Sequence, residues 1–202
     1  MPRLLVGIVF LGTGIAMMVR SRLGLSPWDV MHQGIARHTG LSIGVVIIGL
    51  GLVILLLWIP LRQRFGIGTV LNTLTVGLIT DVGLEVIGVP GVLALRWLLL
   101  VAGVLVIAFG MSLYISAGLG PGPRDGLMTG IAAKGFPLWI VRTVIELVVL
   151  VVGYALGGDI GAGTVLFAFA IGPLGHWFIE RLHLGPSGTD LGTDLGPGVS
   201  AD

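Results

Sequence analysis

The chain has 202 residues, of which 55% are hydrophobic and only 10% charged, and its mean hydropathy is +1.07. Soluble domains carry roughly a quarter charged residues, so the composition excludes an ordinary soluble fold and describes an integral membrane protein. A net charge of +1 without any block of like charge gives nucleic acid nothing to bind, and the lack of cysteine rules out disulfides and thiol catalysis.

A helix needs about 20 apolar residues to cross the hydrocarbon. The first such window is Leu4–Met18. It follows Arg3 as a secretory signal would, but no small-residue cleavage site comes after it, and it reads as a retained first helix. Next comes LGLSPWDVMHQGIA, Leu23 to Ala36, with an Asp, a His and a Gln just after a Pro. A helix from Pro27 to His38 spans only about 18 Å, too short to cross. It is amphipathic, with Trp28, Met31 and Ile35 on one stripe and Asp29, Gln33 and Arg37 on another. Such a segment dips into the membrane and returns, or lies along its surface. Two long windows follow, Ile43–Leu61 and Thr69–Ile87, and then a fourth, Val92–Ser116.

After the fourth window the chain writes LGPGPRDGLMTGIA, Leu119 to Ala132, matching the earlier stretch at seven of fourteen positions. Leu138–Leu156 and Thr164–Leu182 complete the set of apolar windows. From Gly185 a Gly-, Asp- and Pro-rich tail begins, expected to be disordered. The division is thus one membrane domain over residues 1–184 and a tail over 185–202.

The two halves share further landmarks in the same order. Gly7 and Gly14 align with Gly103 and Gly110, GIGTVL (Gly66–Leu71) with GAGTVL (Gly161–Leu166), and Gly77 with Gly172. One repeat runs over about residues 3–88 and the other over about 91–184. Each reads as a long helix, a short polar helix and two more long helices. The expected fold class is therefore an all-α polytopic membrane protein, with about six spanning helices and two short re-entrant or interfacial ones. Three crossings per half invert the second repeat relative to the first, the plan of many secondary transporters. With both termini inside, the inner loops collect Arg3, Arg62, Arg64, Arg124, Lys134 and Arg181 against Arg20, Arg22, Arg37 and Arg96 outside. This is a modest bias towards cytoplasmic termini.

The polar residues admit two readings. In the first, Ser26-Pro27-Trp28-Asp29 is a helix start, with Ser as cap, Pro in the first turn and Asp completing a capping box. Gly122-Pro123-Arg124-Asp125 repeats it with a weaker cap. In the second, the short helices enter from opposite faces and meet. Asp29 and Asp125 then bind a cation, proton or amine, or orient backbone donors for a substrate. Thr69 and Thr164, opening their helices in GxGT, are either capped starts or, with the free N–H groups there, an anion cradle. Arg142 and Glu146 lie four apart on one face, either an internal ion pair or a substrate or coupling-ion group present in one half only. His32, Gln33 and Asn72 are lesser candidates, Asn72 and Thr73 chiefly for bonding between helices. Asp81 and His176 read as solvated helix ends or as a proton relay. Gly153 and Gly157 form a small-residue pair for close helix packing or a homodimer face. No metal site, no cofactor and no nucleophile–base pairing for an enzyme is expected.

LGLSPWDVMHQGIARHTGLSIG, WIPLRQRFGIGTVLN, GLGPGPRDGLMTGI, RTVIELVVL and GAGTVLFAFAIGP, in this order, resemble the YitT/YczE family of bacterial integral membrane proteins over about residues 5–180. The resemblance implies a multi-pass protein of the bacterial cytoplasmic membrane and carries over no catalytic residue. The soluble C-terminal domain of some YitT-like relatives is not expected here. The functional expectation is a small transporter or permease for a small molecule or ion. A non-transporting membrane partner, or an enzyme acting on lipid-linked substrates, is the alternative.

Overall fold

The computed structural model describes residues 1–182, so the tail expected to be disordered lies outside the described residues. These form eight helices: α1 Pro2–Ser21, α2 Pro27–Thr39, α3 Ile43–Leu61, α4 Ile67–Val86, α5 Leu93–Ser116, α6 Pro123–Ala132, α7 Leu138–Ala155 and α8 Ala162–Arg181. Six of them are long and apolar enough to cross a membrane, and α2 and α6 are the two that are not. Apolar side chains such as Leu56, Val86, Leu98, Val151 and Phe169 are well exposed. In lipid that exposure carries no hydrophobic penalty, and helices meet the need to pair backbone groups there, their first turns taking partners from elsewhere in the chain. The protein is an all-helical, multi-pass membrane protein.

At the centre lie α1 and α5. Gly7 packs on the backbone of Gly110, and Gly14 on that of Gly103. Rising numbers on one helix meet falling numbers on the other, so the pair is antiparallel. A Cβ at Gly7 would stand 2.8 Å from the Gly110 carbonyl oxygen and the Tyr114 nitrogen. Hydrogen alone permits this approach, the usual device of helix pairs in lipid, where dispersion contacts replace the hydrophobic drive. Against this pair, α4 packs on α1 and α8 on α5.

The short helices cross to the other half. α2 packs mainly on α7, and α6 on α3. Met31 of α2 lies against Gly153 of α7, so that small face is occupied within the chain. The loops before them cross as well. The Leu23 carbonyl accepts from Gly163 N–H at 2.7 Å, and the Leu119 carbonyl from Gly68 N–H at 2.8 Å. One contact is not matched: α3 packs along α4, whereas α7 has little contact with α8.

α2 is buried within the protein over most of its length. Residues 27–34 are all buried, the polar Asp29, His32 and Gln33 among them, and only its last turn is exposed. Asp29 and Gln33 of the second stripe face polar partners inside the protein, where a buried polar group must find one, and Arg37 pairs with Asp159 at the exposed end.

A cavity between two short helix starts

At the start of α2, the Asp29 N–H donates to Ser26 Oγ at 3.3 Å, so Ser26 is the cap expected. The reciprocal half of a capping box is replaced: the Ser26 hydroxyl donates to Asp29 Oδ2 at 2.5 Å. His32, one turn on, lies with Nδ1 3.1 Å from Asp29 Oδ1. An ionised carboxylate only accepts, so Nδ1 carries the proton. Asp29 and His32 are each 2% exposed. A carboxylate this deep is tolerable because hydroxyl, imidazole and guanidinium surround it.

That guanidinium comes from the other half. Arg124, in the first turn of α6, reaches to 3.5 Å from Asp29 Oδ1 and lies over the Trp28 ring at 5.2 Å from its centroid. Trp58 Nε1 of α3 donates to the Pro123 carbonyl at 3.1 Å and fixes the start of α6. A Cβ at Gly126 would run into the same indole. The two helix starts therefore face each other across Trp28 and Arg124.

Between them is a cavity of about 170 Å³ whose walls draw on all eight helices. Ser26, Asp29 and His32 line it from α2 and its cap, Gly122, Arg124 and Asp125 from α6, and Arg142 and Glu146 from α7. Ile47, Ile54, Val76, Ile107 and Ile171 supply apolar wall. Arg142 Nε donates to Glu146 Oε1 at 3.0 Å. Asp125 makes no hydrogen bond and no ion pair among the described residues. Its side chain is exposed and lines the cavity. The cavity is thus polar and accessible at Asp125 and Arg142, and closed at Asp29.

Behind the closed end, Gln33 Nε2 donates to Asp159 Oδ2 at 3.1 Å and the Asp159 N–H donates to Gln33 Oε1 at 2.7 Å. Arg37 engages both Asp159 oxygens, at 2.9 and 2.7 Å, and also the Gly157 carbonyl. Hydrogen bonding from Arg37 holds the Asp159 carboxyl below its ordinary range. The aligned positions in the other half are Thr129, Ala133 and Arg64, which cannot make this cluster.

Residues 1–180 match the model of a family of unknown function, DUF6198. The chain belongs to that family. It is 38% identical over 178 residues to an uncharacterized protein of Haemophilus influenzae, covering 88% of this chain and 82% of that one. It is 34% identical over 170 residues to the uncharacterized membrane protein YczE of Bacillus subtilis, covering 82% and 79%. A third relative, the uncharacterized protein YyaS of Bacillus subtilis, is 27% identical over 182 residues, covering 86% and 89%. No solved structure matches. The YczE side of the resemblance read from the motifs is therefore the one these relatives carry, a YczE-like family of bacterial membrane proteins.

In this DUF6198 chain, six of the nine candidate binding residues meet at one cavity: Asp29, His32, Asn72, Asp125, Arg142 and Glu146. Three do not. Gln33 turns to Asp159. Thr69 and Thr164 sit in the first turn of their helices rather than opening them, each hydroxyl accepting from the N–H of Gly66 or Gly161 at 3.3 Å. Thr69 also donates to the Pro121 carbonyl at 2.8 Å. The Gly68 and Gly163 N–H groups that an anion cradle needs are taken by Leu119 and Leu23. Thr73 bonds back to Thr69 O at 2.7 Å within its own helix, not across to another. Asp81 holds the start of α3 through Ser42 Oγ and Gly44 N–H, at 2.5 and 2.8 Å. His176 pairs with Glu180 on an exposed face, so no relay joins it to Asp81. Arg124, Trp58 and Asp159 were not singled out. Arg124 adjoins Asp125 in the repeated motif, and that adjacency was the available signal. Asp159 had none, being a loop residue 126 positions from Gln33.

Proposed function

We propose that this protein is a small secondary transporter or permease of the bacterial cytoplasmic membrane, built of two inverted repeats, with its N-terminus and the end of α8 on the cytoplasmic side. The observation that carries the reading is the cavity: two short helix starts with aligned sequences converge on it from different halves, and only one of them is accessible. Transporters of this plan bind solute where broken or short helices meet at the repeat interface, and expose the site to one face at a time. The antiparallel pairing of the aligned helices α1 and α5 supports inversion, since a parallel repeat would run them the same way. The open Asp125 and closed Asp29 suit one of two alternating states, and the Gln33–Arg37–Asp159 cluster suits the gate that is shut in it.

The absence of cysteine makes the test direct. Single cysteines at Leu41 and Phe136, which follow α2 and α6, should react with an impermeant thiol reagent from opposite sides of oriented vesicles. Reaction from the same side overturns the inverted plan. A single cysteine at Asn72, in the cavity wall, should react from either side, as alternating access requires. Reaction from one side only, under every condition that supports growth or purification, overturns transport and leaves a membrane partner with a fixed cavity.

A further inference from the structure

The charges in the cavity wall do not balance. Asp29, Asp125 and Glu146 supply three carboxylates; Arg124 and Arg142 supply two guanidiniums, and burial, which lowers the pKa of His32, keeps that ring neutral. Asp29 is engaged by Arg124, Ser26 and His32, and Glu146 by Arg142. Asp125 is left over, and it is the carboxylate that the cavity leaves accessible. An ionised carboxylate with no partner inside a membrane protein is costly unless it takes up a proton or a cation binds to it.

We infer that the cavity takes a small organic monocation, a primary or methylated ammonium of about four to six heavy atoms, with its charge on Asp125. The inference rests on reading the cavity as a solute site. Three observations select this class. One unmatched carboxylate calls for one positive charge, not an anion. A metal cation needs several hard ligands at once, and among the described residues no three His, Cys, Asp or Glu side chains are gathered to hold one. Apart from Ser26, His32, Asn72 and Thr73, the rest of the wall is apolar or aromatic, with Trp28, Tyr114 and Phe167 beside the aliphatic residues. That apolar share solvates the carbon part of an ammonium and gives cation–π contact to its methyl groups, and it replaces none of the hydration shell of an inorganic ion. The Tyr114 ring is anchored by its hydroxyl, which donates to the Gly120 carbonyl at 3.0 Å. As for size, an engineered apolar cavity of about 150 Å³ accepts benzene, and about 170 Å³ here admits a butylammonium or tetramethylammonium ion.

The test is binding by the full chain in detergent, followed by thermal unfolding with n-butylammonium, tetramethylammonium, n-butanol, butyrate and sodium chloride, at fixed ionic strength. The ammonium ions should raise Tm saturably, by about 3–6 °C at ten times Kd, while n-butanol and butyrate do not. Asp125→Asn should fold with an unliganded Tm close to that of the parent and lose the shift, and Asp125→Glu should recover part of it. No saturable shift with any ammonium, an equal shift in Asp125→Asn, or a shift with butyrate or sodium in place of the ammonium ions each overturns the inference. The readout needs no flux. Ammonium binding without any alternation at Asn72 removes transport and keeps the cation, whereas alternation with a shift by butyrate does the reverse.

Discussion

Ser26, Asp29 and His32 stand within two turns of chain, and the carboxylate between them is also the point that Arg124 reaches from the other half. Removing that carboxylate orphans a buried imidazole donor, a hydroxyl and part of a guanidinium in one step. Asp29→Ala is expected to cost about 2–4 kcal/mol, whereas Asp29→Asn, which keeps an acceptor for Ser26 or His32, should cost about half as much. Chemical unfolding of detergent-purified variants measures both. A loss under about 1 kcal/mol for Asp29→Ala would show that the cluster does not hold the helix start. The aligned Asp125 has the same place in its helix and none of these partners. Cap geometry alone therefore does not account for the recurrence of the carboxylate, since in α6 the carboxylate caps nothing. Duplication of a sequence and retention of a role part company at this pair.

At the scale of helices, the sequence carried most of the architecture, because hydrophobic length and the Pro-x-Asp starts are local signals. The six apolar windows and the two short polar segments all form helices, with boundaries shifted by a few residues. α1 begins at Pro2 and ends at Ser21, beyond Leu4–Met18, and its last turn includes Arg20, which bonds the Leu84 carbonyl. α4 and α8 begin two residues before their threonines because Gly66 and Gly161 are the caps. What stayed out of reach was the set of partners across the halves, such as Asp159 and Trp58, since no periodicity encodes a contact between a loop and a distant helix. The glycines divide along the same line. Gly7 is closed in by backbone, while a methyl at Gly49 of α3 would meet nothing within 4 Å. Gly7→Ala should therefore destabilise the protein, by about 2 kcal/mol or more as overpacking. Gly49→Ala should be neutral or stabilising, by up to about 1 kcal/mol from helix propensity. Thermal unfolding of the pair checks this, and equal effects would contradict the close approach of α1 and α5.

At the scale of the whole molecule, neither half closes on itself. Leu23 and Leu119 each hand a carbonyl to a helix start in the opposite half, and each short helix lies on a long helix of the other. During synthesis, the ribosome completes Gly68 long before Leu119 exists, and Leu23 waits until Gly163 has been made. The first half must therefore sit in the bilayer with a short helix unseated and a helix-start donor unpaired, exposed to membrane proteases and to the wrong neighbours, until its complement arrives. A chain cut between Gly88 and Val89 should accumulate and co-purify when both fragments are made together. Either fragment alone should be degraded or aggregate, as pulse-chase labelling would record. The interlocked loops make assembly of this protein an encounter between two incomplete parts, even though one gene product supplies both.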